Sequence, residues 1–468
     1  MSVSRRNFVK TASAATAALS FPTIIPRHVL GGANFVAPSD KVNVGMVGVG
    51  GKGRNNTKEL LLLDDVQITA IADPAEYWDL SEFYYKSYAG RGPVKDLIED
   101  HYRQKTPNFK VAEYSDFRKM LENESSLDAI LCSTPDHTHA YVGSVAMRSG
   151  KHVYVEKPMA HNIWENRKLA KIARETGLAT QMGNGGHSSE GIRQTVELLQ
   201  AGAIGKVKQA HSWCHATRWT PGLTGLPLGQ TVKPVGFDWD LWLGPRDPIP
   251  YHSDITPVKW RDFWRFGCGA LGDFACHDMD ATVWAFDLAE PESVQIYPAG
   301  QSNSEIAPYG ELGDFNFKAK GKQKKLKVSW YSGAIRPPHH DAFPKNFELK
   351  NRGLLIEGDK GVIQSDGAGG APRVFPQELS RSLNRPEKSV PRSNGHYRDW
   401  IDAIKGGPPA SANFEYSARL TEIALIGVLS LRLGGKKIYW DAKNMKAKGL
   451  PEADKYIKEP VRKGWEVV

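Results

Sequence analysis

The strongest structural signal in the chain is KVNVGMVGVGGKGRNNTKELLLLDDVQITAIAD, residues 41–73. An apolar run is followed by a segment of helical character and then by a second apolar run. The same alternation returns at DAILC, HVYVE and LATQM further along the chain. Buried strands separated by helices indicate a parallel sheet that is covered by helices on both faces. The sequence therefore predicts a doubly wound α/β domain that binds a nucleotide.

The first strand runs into a G-x-G-x-x-G turn formed by Gly48, Gly50 and Gly53, and Arg54 follows in the helix that the turn opens. In such a turn the first glycine allows the tight bend, the second lets the backbone approach a pyrophosphate, and the third lets helix and strand pack closely. Asp73 ends the second strand, at about the 20-residue separation expected of a carboxylate that binds a ribose 2′-hydroxyl. Because a carboxylate repels a 2′-phosphate, the sequence predicts NAD rather than NADP as the cofactor.

Two further stretches carry reactive side chains. In KHVYVEKPMA a strand ends at Glu156, and Lys157 follows where ligands of parallel sheets bind. Pro158 keeps Lys157 out of the helical conformation and so fixes the direction of its ammonium group. In GALGDFACHDMD, Asp273 and His277 are four residues apart, which places them on one face of a helix. Oxidation of an alcohol needs a base for the hydroxyl proton and a cation to stabilise the alkoxide. His277 suits the first role and Lys157 the second.

The glycine turn, STPDHTHA, EKP and GALGDFACH occur in an order that resembles the Gfo/Idh/MocA oxidoreductases, the family of glucose-fructose oxidoreductase and inositol dehydrogenase. The resemblance implies an N-terminal Rossmann domain, residues 41–182, with a doubly wound parallel sheet. It also implies a C-terminal α+β domain, residues 183–468, whose open, mainly antiparallel sheet shapes the substrate site and supports oligomers. Two helices are expected in HYRDWIDAIKGG and FEYSARLTEIALIGVLSLRLG, the second of them buried against both domains.

The resemblance also implies which residues form the site. It places the catalytic lysine of the family at Lys157 and its acidic-then-histidine motif at Asp273 and His277. The expected contacts to the cofactor are Gly48, Gly50, Gly53, Arg54, Asp73, Thr134, Pro135, His139, Glu156 and Lys157.

The resemblance places further contacts, to the substrate or the nicotinamide, in the segment that leaves the Rossmann domain and in the first long strand of the second domain. MGNGGHSSEGIRQ contributes Asn184 and His187, and HSWCHATRWTPG, expected as a long strand, contributes His215, Arg218 and Trp219. Aromatic residues in these stretches are also compatible with an ordinary core.

One stretch departs from the family pattern. Between Asp73 and Tyr114 lies a longer polar insertion, YWDLSEFYYKSYAGRGPVKDLIEDHYRQK, which is expected to add a helix beside the adenosine end of the cofactor. The insertion leaves the adenine contacts open, whereas the catalytic assignment does not depend on it.

Composition excludes several other classes of protein. A chain of 468 residues that is 40% hydrophobic, with 13 Trp, can bury a large core and is not disordered. The 61 basic and 52 acidic residues give a net charge of +9, but the charges are scattered, so no nucleic-acid partner is expected. The four cysteines show neither a C-x-x-C pair nor a zinc spacing, and no metal site is expected. They are interpreted as buried free thiols, with a bridge between Cys268 and Cys276 left open.

The first residues resemble an export signal. SRRNFVK, residues 4–10, contains paired arginines, and an uncharged run rich in Ala, Ser and Thr follows, as in signals of the twin-arginine route. No segment reaches the roughly twenty apolar residues that a spanning helix needs, so no stable membrane insertion is expected. Residues 1–36 are therefore expected to be a signal peptide that directs the folded protein to the periplasm or otherwise out of the cytoplasm.

These observations favour an exported, NAD-dependent oxidoreductase that transfers hydride between a sugar or polyol carbinol and a tightly bound cofactor. Export of a folded protein explains the tight binding, because free NAD belongs to the cytoplasm. One alternative is an NAD-dependent glycoside-cleaving enzyme that uses transient oxidation, elimination and re-reduction, with His187, His215 or a tyrosine as a second base. An alternative of another class is a non-catalytic sugar- or nucleotide-binding module, against which the presence of both Lys157 and His277 argues. The expected partners are a small sugar or glycoside and, through the open sheet, further copies of the chain.

Overall fold

The parallel sheet expected from the opening stretch is present in the computed structural model, which describes residues 36–319 and 325–468. Its six strands lie in the order β5-β2-β1-β6-β7-β8 and are all parallel. The strands are β1 Val42–Val47, β2 Val66–Ala72, β5 Ala112–Tyr114, β6 Ala129–Cys132, β7 His152–Val155 and β8 Thr180–Met182. The helices of this part are α1 Gly51–Leu61, α2 Arg91–Arg103, α3 Phe117–Asn123, α4 Asp136–Arg148 and α5 Ile163–Thr176. The nucleotide-binding fold is therefore confirmed.

The polar insertion forms two features. The expected helix is present as α2, which packs beside β2 and β5. A short antiparallel ribbon precedes it, formed by β3 Trp78–Asp79 and β4 Tyr88–Ala89.

The second sheet has nine strands in the order β15-β14-β13-β9-β12-β11-β10-β16-β17. Every neighbouring pair is antiparallel except β9 and β12. The strands are β9 Val207–Trp213, β10 Ser293–Ala299, β11 Gly310–Phe317, β12 Leu326–Tyr331, β13 Gly353–Gly358, β14 Val362–Asp366, β15 Arg373–Phe375, β16 Ile438–Asp441 and β17 Lys446–Ala447. The helices are α6 Glu190–Gln200, α7 Trp239–Leu243, α8 Gly269–Asp278, α9 Asp280–Ala285, α10 Gln377–Ser382, α11 His396–Ile404, α12 Phe414–Arg432 and α13 Asp454–Ile457. The expected open, mainly antiparallel sheet is confirmed.

Helix α12 joins the two sheets. Asn413 caps its first turn by accepting hydrogen bonds from the amides of Glu415 and Tyr416. Most of its residues are buried, and it packs against α5 and β8 on one side and against α8 and β10 on the other. The prediction of a helix buried against both domains is confirmed.

One face of the nine-stranded sheet is packed against helices, including α8 and α12. Elsewhere the same sheet exposes Tyr297, Leu312 and Tyr439. Contacts between copies of the chain through this open sheet stay a prediction.

Both sheets belong to one compact unit, Val42–Val468. The other unit, Met1–Lys41, shows a 3-10 turn at Pro38–Asp40, and the expected signal peptide lies, up to residue 35, outside the described residues. No helix in the described ranges is long and apolar enough to cross a membrane. All four cysteines are buried and free, so Cys268 and Cys276 are not bridged.

Candidate active site

A cavity of about 910 Å³ lies where the carboxyl ends of the parallel strands meet helix α8. This is the position at which open parallel sheets bind their ligands. The predicted residues that line it are Gly48, Gly50, Asp73, Thr134, Pro135, His139, Glu156, Lys157, His215, Arg218, Trp219, Asp273 and His277.

The three glycines of the turn have different surroundings, and two of them leave no room for a side chain. Gly48 has a φ of +80°, and a Cβ there would lie 2.8 Å from the backbone of Thr134. A Cβ on Gly53 would lie 2.0 Å from the Gly48 carbonyl oxygen, so only glycine allows α1 to pack this closely on the turn. A Cβ on Gly50 would meet nothing within 4 Å, so this position faces open space in the cavity. Arg54 follows in α1, is half-buried and does not line the cavity.

Asp73 ends β2 with its carboxylate held by two backbone amides. Oδ2 accepts a hydrogen bond from the Val49 amide at 2.7 Å and Oδ1 accepts one from the Ala75 amide at 2.8 Å. Burial raises the pKa of Asp73 to about 6, although the two amides and the charge of Arg91 act in the opposite direction. Each oxygen keeps a further lone pair for a hydroxyl donor.

The turn after β6 is tied to the turn after β7 by His139. Its Nδ1 lies 2.8 Å from the Pro158 carbonyl oxygen, and its Nε2 lies 2.8 Å from the Thr134 carbonyl oxygen. Glu156, at the end of β7, is 4% exposed; its Oε1 accepts from Asn56 at 2.9 Å, while Oε2 is buried without a partner. Oε2 is packed against Gly183, where a Cβ would lie 2.4 Å from it, so this oxygen faces the protein interior.

Lys157 and Asp273 form an ion pair in the cavity wall. Lys157 Nζ donates to the Asp273 carboxylate and, at 3.0 Å, to its backbone oxygen, and Arg261 Nε lies 3.6 Å from the second carboxylate oxygen. Burial alone lowers the pKa of Lys157, but the charge of Asp273 more than offsets it and raises this pKa. Burial alone raises the pKa of Asp273, and the two cations outweigh it and hold this carboxyl well below its usual range. Lys157 is therefore an ammonium group and Asp273 a carboxylate.

His277 presents a neutral imidazole to the cavity. Its Nδ1 lies 2.8 Å from Asn184 Oδ1, and Asn184 Nδ2 donates to Asp280 at 2.8 Å. Because a carboxylate only accepts hydrogen bonds, Asn184 must turn its oxygen to His277, and the histidine hydrogen must be on Nδ1. Burial, and then the charges of Lys157 and Arg352, lower the pKa of His277 well below its ordinary value. Nε2 is left as an unprotonated acceptor.

Asp280 holds Asn184 in this orientation from the side away from the cavity. It is 0% exposed and accepts hydrogen bonds from Asn184, from His187 Nδ1 at 2.9 Å and from the hydroxyl of Tyr416 in α12. His187 also stacks on Trp284, with ring centroids 4.2 Å apart. Asn184 and His187 are therefore buried behind the cavity wall and do not line it, so the structure does not bring them into direct contact with the space for a substrate.

The stretch with His215, Arg218 and Trp219 lines the cavity but is not a strand at these positions. Strand β9 ends at Trp213, where its pairing with β12 ends at Tyr331. The expectation of one long strand is corrected, because the chain then leaves the sheet and its loop is held by other contacts. Arg218, for example, donates to the carbonyl oxygens of Pro221 and Leu223.

Two family models match the chain. The NAD-binding Rossmann fold of the Gfo/Idh/MocA oxidoreductase family matches residues 94–184, and the C-terminal alpha/beta domain of the same family matches residues 194–313. The chain belongs to the Gfo/Idh/MocA oxidoreductases. The resemblance seen in the sequence is confirmed, and the first domain is an NAD-binding Rossmann domain.

Curated relatives of this Gfo/Idh/MocA member include a glycosyl hydrolase family 109 protein of Shewanella baltica, 28% identical over 233 residues. An alpha-N-acetylgalactosaminidase of Shewanella oneidensis is 25% identical over 232 residues. Each alignment covers 46% of this chain and 47% of the relative, so the chain spans about half the length of the curated relatives it matches.

A solved structure with the same fold is the WlbA dehydrogenase of Bordetella pertussis in complex with NADH and UDP-GlcNAcA. It has a TM-score of 0.56 and 16% identity, and the match covers 86% of this chain and 99% of that one. The aldose-aldose oxidoreductase of Caulobacter crescentus, complexed with glycerol, has a TM-score of 0.54 and 15% identity, with 86% and 100% covered.

The residues of this family member fit NAD. The open space at Gly50 suits a pyrophosphate at the N-terminus of α1, whose amides face it. The Asp73 carboxylate, which lines the cavity at the end of β2, has lone pairs that suit ribose hydroxyl donors. The Asp73 carboxylate repels a 2′-phosphate, and the cation beside it, Arg91, donates to the Asp73 carbonyl oxygen at 2.6 Å and to Glu113 at 3.2 Å.

Several residues of the site escaped the sequence reasoning. Asp280 had a usable signal, since it lies three positions after His277 in GALGDFACHDMD, the stretch already identified as reactive. The others are brought to the cavity by loops whose course follows from tertiary packing, and they are Tyr84, Tyr85, Arg352 and Trp465.

Proposed function

We propose that this protein is an NAD-dependent oxidoreductase that acts on a CH–OH group of a sugar or polyol. The observation that carries the proposal is the pairing in one cavity of a neutral His277 with the Lys157 ammonium. One group accepts a proton at neutral pH, and the other stabilises negative charge on oxygen.

In the oxidation direction the substrate hydroxyl gives its proton to Nε2 of His277. The ammonium of Lys157 stabilises the developing alkoxide, and its direction is held by Asp273. The C–H and O–H bonds break, a C=O bond forms, and two electrons leave the carbinol carbon with its hydrogen. Bound NAD supplies the acceptor for that hydride. In the reduction direction His277 returns the proton to the new alkoxide oxygen.

Asn184 and Asp280 serve as positioning residues in this scheme. They hold the hydrogen on Nδ1 of His277 and so keep the lone pair of Nε2 directed to the cavity. In the wrong tautomer the histidine would present an N–H to the substrate where a lone pair is required. The groups that fix the tautomer therefore affect the rate although they do not touch the substrate.

We also propose that the cofactor is tightly held and that the chain is exported by the twin-arginine route. The support is Arg5–Arg6 with the uncharged run that follows, together with a cavity large enough to hold a cofactor and a substrate together. A protein exported in the folded state carries its cofactor with it. Fractionation of cells that produce the Arg5→Lys/Arg6→Lys variant tests the route, because the variant protein should stay in the cytoplasm.

A second candidate function is cleavage of glycosides through transient oxidation. It is favoured by the glycosyl hydrolase family 109 relatives and by His215, which lines the cavity and is a possible second base. Oxidation acidifies the neighbouring C–H, a base removes that proton, the leaving sugar departs, and re-reduction restores the cofactor. His187 is not available for this role, because it is buried behind the wall.

The experiment that separates these functions uses the NAD-loaded protein with a free sugar and an aryl glycoside side by side. The oxidoreductase proposal predicts a lasting near-ultraviolet absorbance of reduced cofactor, which a ketone- or aldehyde-bearing sugar reverses. Glycoside cleavage predicts steady release of the aglycone without an added acceptor, exchange of a ring proton with deuterated water, and little standing reduced cofactor. If the aglycone is released steadily and this release is lost in Lys157→Met, the protein is a glycoside-cleaving enzyme and the oxidoreductase proposal is wrong.

A further inference from the structure

The ribbon inserted into the nucleotide-binding domain reaches over the glycine turn. Its β3 and β4 strands are joined by residues 80–87, which contain Tyr84 and Tyr85. A Cβ on Gly51 would lie 2.4 Å from the ring of Tyr85, so this ring rests directly on the turn. Both tyrosines line the cavity.

Tyr84 meets an aromatic residue of the second domain. Its ring stacks on Trp219 with centroids 5.8 Å apart and planes at 23°, and Phe83 contacts Trp219 edge-on at 6.1 Å. Asp262 anchors the loop that carries Trp219. Its two carboxylate oxygens accept hydrogen bonds from the backbone amides of Trp219 and Thr220, each at 2.9 Å. The two domains thus place a fixed aromatic pair in the wall of one cavity.

This pair is exposed in the structure. Tyr84 is 60% exposed and Trp219 is 38% exposed, and Trp219 is the one exposed tryptophan in the part of the chain that the structure describes. Aromatic rings give binding sites a large apolar surface, and they carry no charge that would select an ionic ligand.

Each cation of the cavity lining already contacts an acceptor group of the protein. Lys157 and Arg261 face Asp273, Arg352 Nε pairs with Asp278 at 2.7 Å, and Lys52 lies 3.4 Å from Glu156. The remaining cationic residue of the lining, Arg218, is bonded to backbone carbonyl oxygens. An acidic group on the substrate would compete with these acceptors, although Arg352 Nη2 and Arg218 Nε are buried without a partner.

We propose that Tyr84 and Trp219 form a subsite for a second, uncharged ring, so that the substrate is a neutral glycoside larger than a monosaccharide. The reacting ring lies at Lys157 and His277, and the attached ring packs its apolar face on the aromatic pair. This inference rests on the proposed oxidoreductase function and extends it to the substrate class.

The test compares Tyr84→Ala and Trp219→Ala with Tyr77→Ala. Tyr77 is the matched control, because it is 47% exposed, stacks on Tyr88 beside the same ribbon and does not line the cavity. Each NAD-loaded protein is assayed with glucose, galactose and mannose, with their neutral disaccharides, and with a uronic acid and a sugar nucleotide. Melting temperature and Kd for NAD are measured in parallel.

We expect the wild-type protein to prefer a disaccharide over its monosaccharide in kcat/KM. Each of the two cavity variants should reduce that preference roughly three- to tenfold, because kcat/KM falls more for the disaccharide than for the monosaccharide. Tyr77→Ala should keep the preference. If sugars reduce bound NAD but the wild-type protein shows no disaccharide preference, the subsite is wrong and the proposed function stands. The same holds if both variants keep the preference. Preference for the uronic acid or sugar nucleotide overturns the subsite as well. Failure of every carbohydrate to reduce bound NAD overturns the function itself, and the subsite with it.

Discussion

Nδ1 of His277 donates a hydrogen bond to the side-chain oxygen of Asn184, and the side-chain nitrogen of Asn184 donates one to Asp280. This chain of donors leaves Nε2 as the atom that can accept a proton. His277→Asn should therefore lower the rate of sugar oxidation by about 10²–10⁴-fold, the usual contribution of a positioned base, while NAD still binds. Single-turnover stopped flow measures the rate and titration measures the Kd for NAD. Normal turnover by this variant would move the base to another residue, such as His215.

The pH dependence of the same step follows from the surroundings of His277. The sequence alone predicts a loss of activity near the ordinary histidine pKa of about 6.5. Burial, Lys157 and Arg352 lower this pKa, so the base stays neutral, and the rate stays high, at pH values where an exposed histidine is already protonated. The acid limb of the single-turnover rate at saturating NAD should lie below the ordinary histidine pKa of about 6.5. An acid limb at or above the ordinary value would show that the imidazole is not in this environment when it reacts.

Asp73 should make NAD binding pH-dependent. Its pKa is raised from 3.8 to about 6, so the carboxylate gains a proton as the pH falls through that value and loses its capacity to accept ribose hydrogen bonds. Affinity for NAD is expected to weaken below about pH 6. Asp73→Asn should bind NAD about ten- to a hundredfold more weakly, the effect of losing a hydrogen bond to a charged group, and without this pH dependence. Equal affinity of the two proteins in calorimetric titration would exclude Asp73 from the ribose site.

At the scale of elements, the glycine turn offers a matched pair of substitutions. Gly50 has a φ of −66° and open space beside it, so Gly50→Ala should fold normally and lose NAD affinity where the pyrophosphate approaches. At Gly53 a Cβ would collide with the Gly48 carbonyl oxygen, so Gly53→Ala should lower the melting temperature even without cofactor. Thermal unfolding and NAD titration of both variants test this contrast. The reverse pattern would contradict the assigned roles of the two glycines.

The elements that the sequence predicted are those whose signal is local. The alternation of apolar runs and helical segments identified β1, α1 and β2, and the four-residue spacing placed Asp273 and His277 on α8. The ribbon with Tyr84 and the loop after Trp213 have no such periodicity. Their courses are set by contacts with distant residues, such as the stacking of Tyr84 on Trp219 across more than a hundred positions. Burial of His187 behind the wall likewise depends on its partner Asp280, far along the chain.

At the scale of the whole molecule, residues near the end of the sequence return to the nucleotide-binding domain. Trp465 lines the cavity, packs on Tyr141 with ring centroids 4.8 Å apart, and lies under the guanidinium of Arg118. The Tyr141 hydroxyl donates to the Gly464 carbonyl oxygen at 2.9 Å. This segment therefore forms part of the cavity wall, although more than 300 positions separate it from Tyr141.

Trp465→Ala should accelerate release of bound NAD by roughly tenfold, because a large buried ring leaves the wall. Trp164→Ala is the control, since Trp164 packs against Lys458 outside the cavity and its loss removes a ring of the same size. A chase with excess unlabelled cofactor measures the release rate. Equal rates in the two variants would mean that this part of the wall does not retain the cofactor.

The most direct measurement for the whole scheme follows the hydrogen that leaves the substrate. Protein loaded with NAD is mixed with a sugar that carries deuterium on every carbon, the reaction is stopped within one turnover, and the recovered cofactor is analysed by mass spectrometry. We expect reduced cofactor that carries one deuterium from the wild-type protein, and unlabelled, oxidised cofactor from His277→Asn over the same time. A cofactor that stays oxidised and unlabelled while the wild-type protein converts the sugar would contradict the proposed hydride transfer.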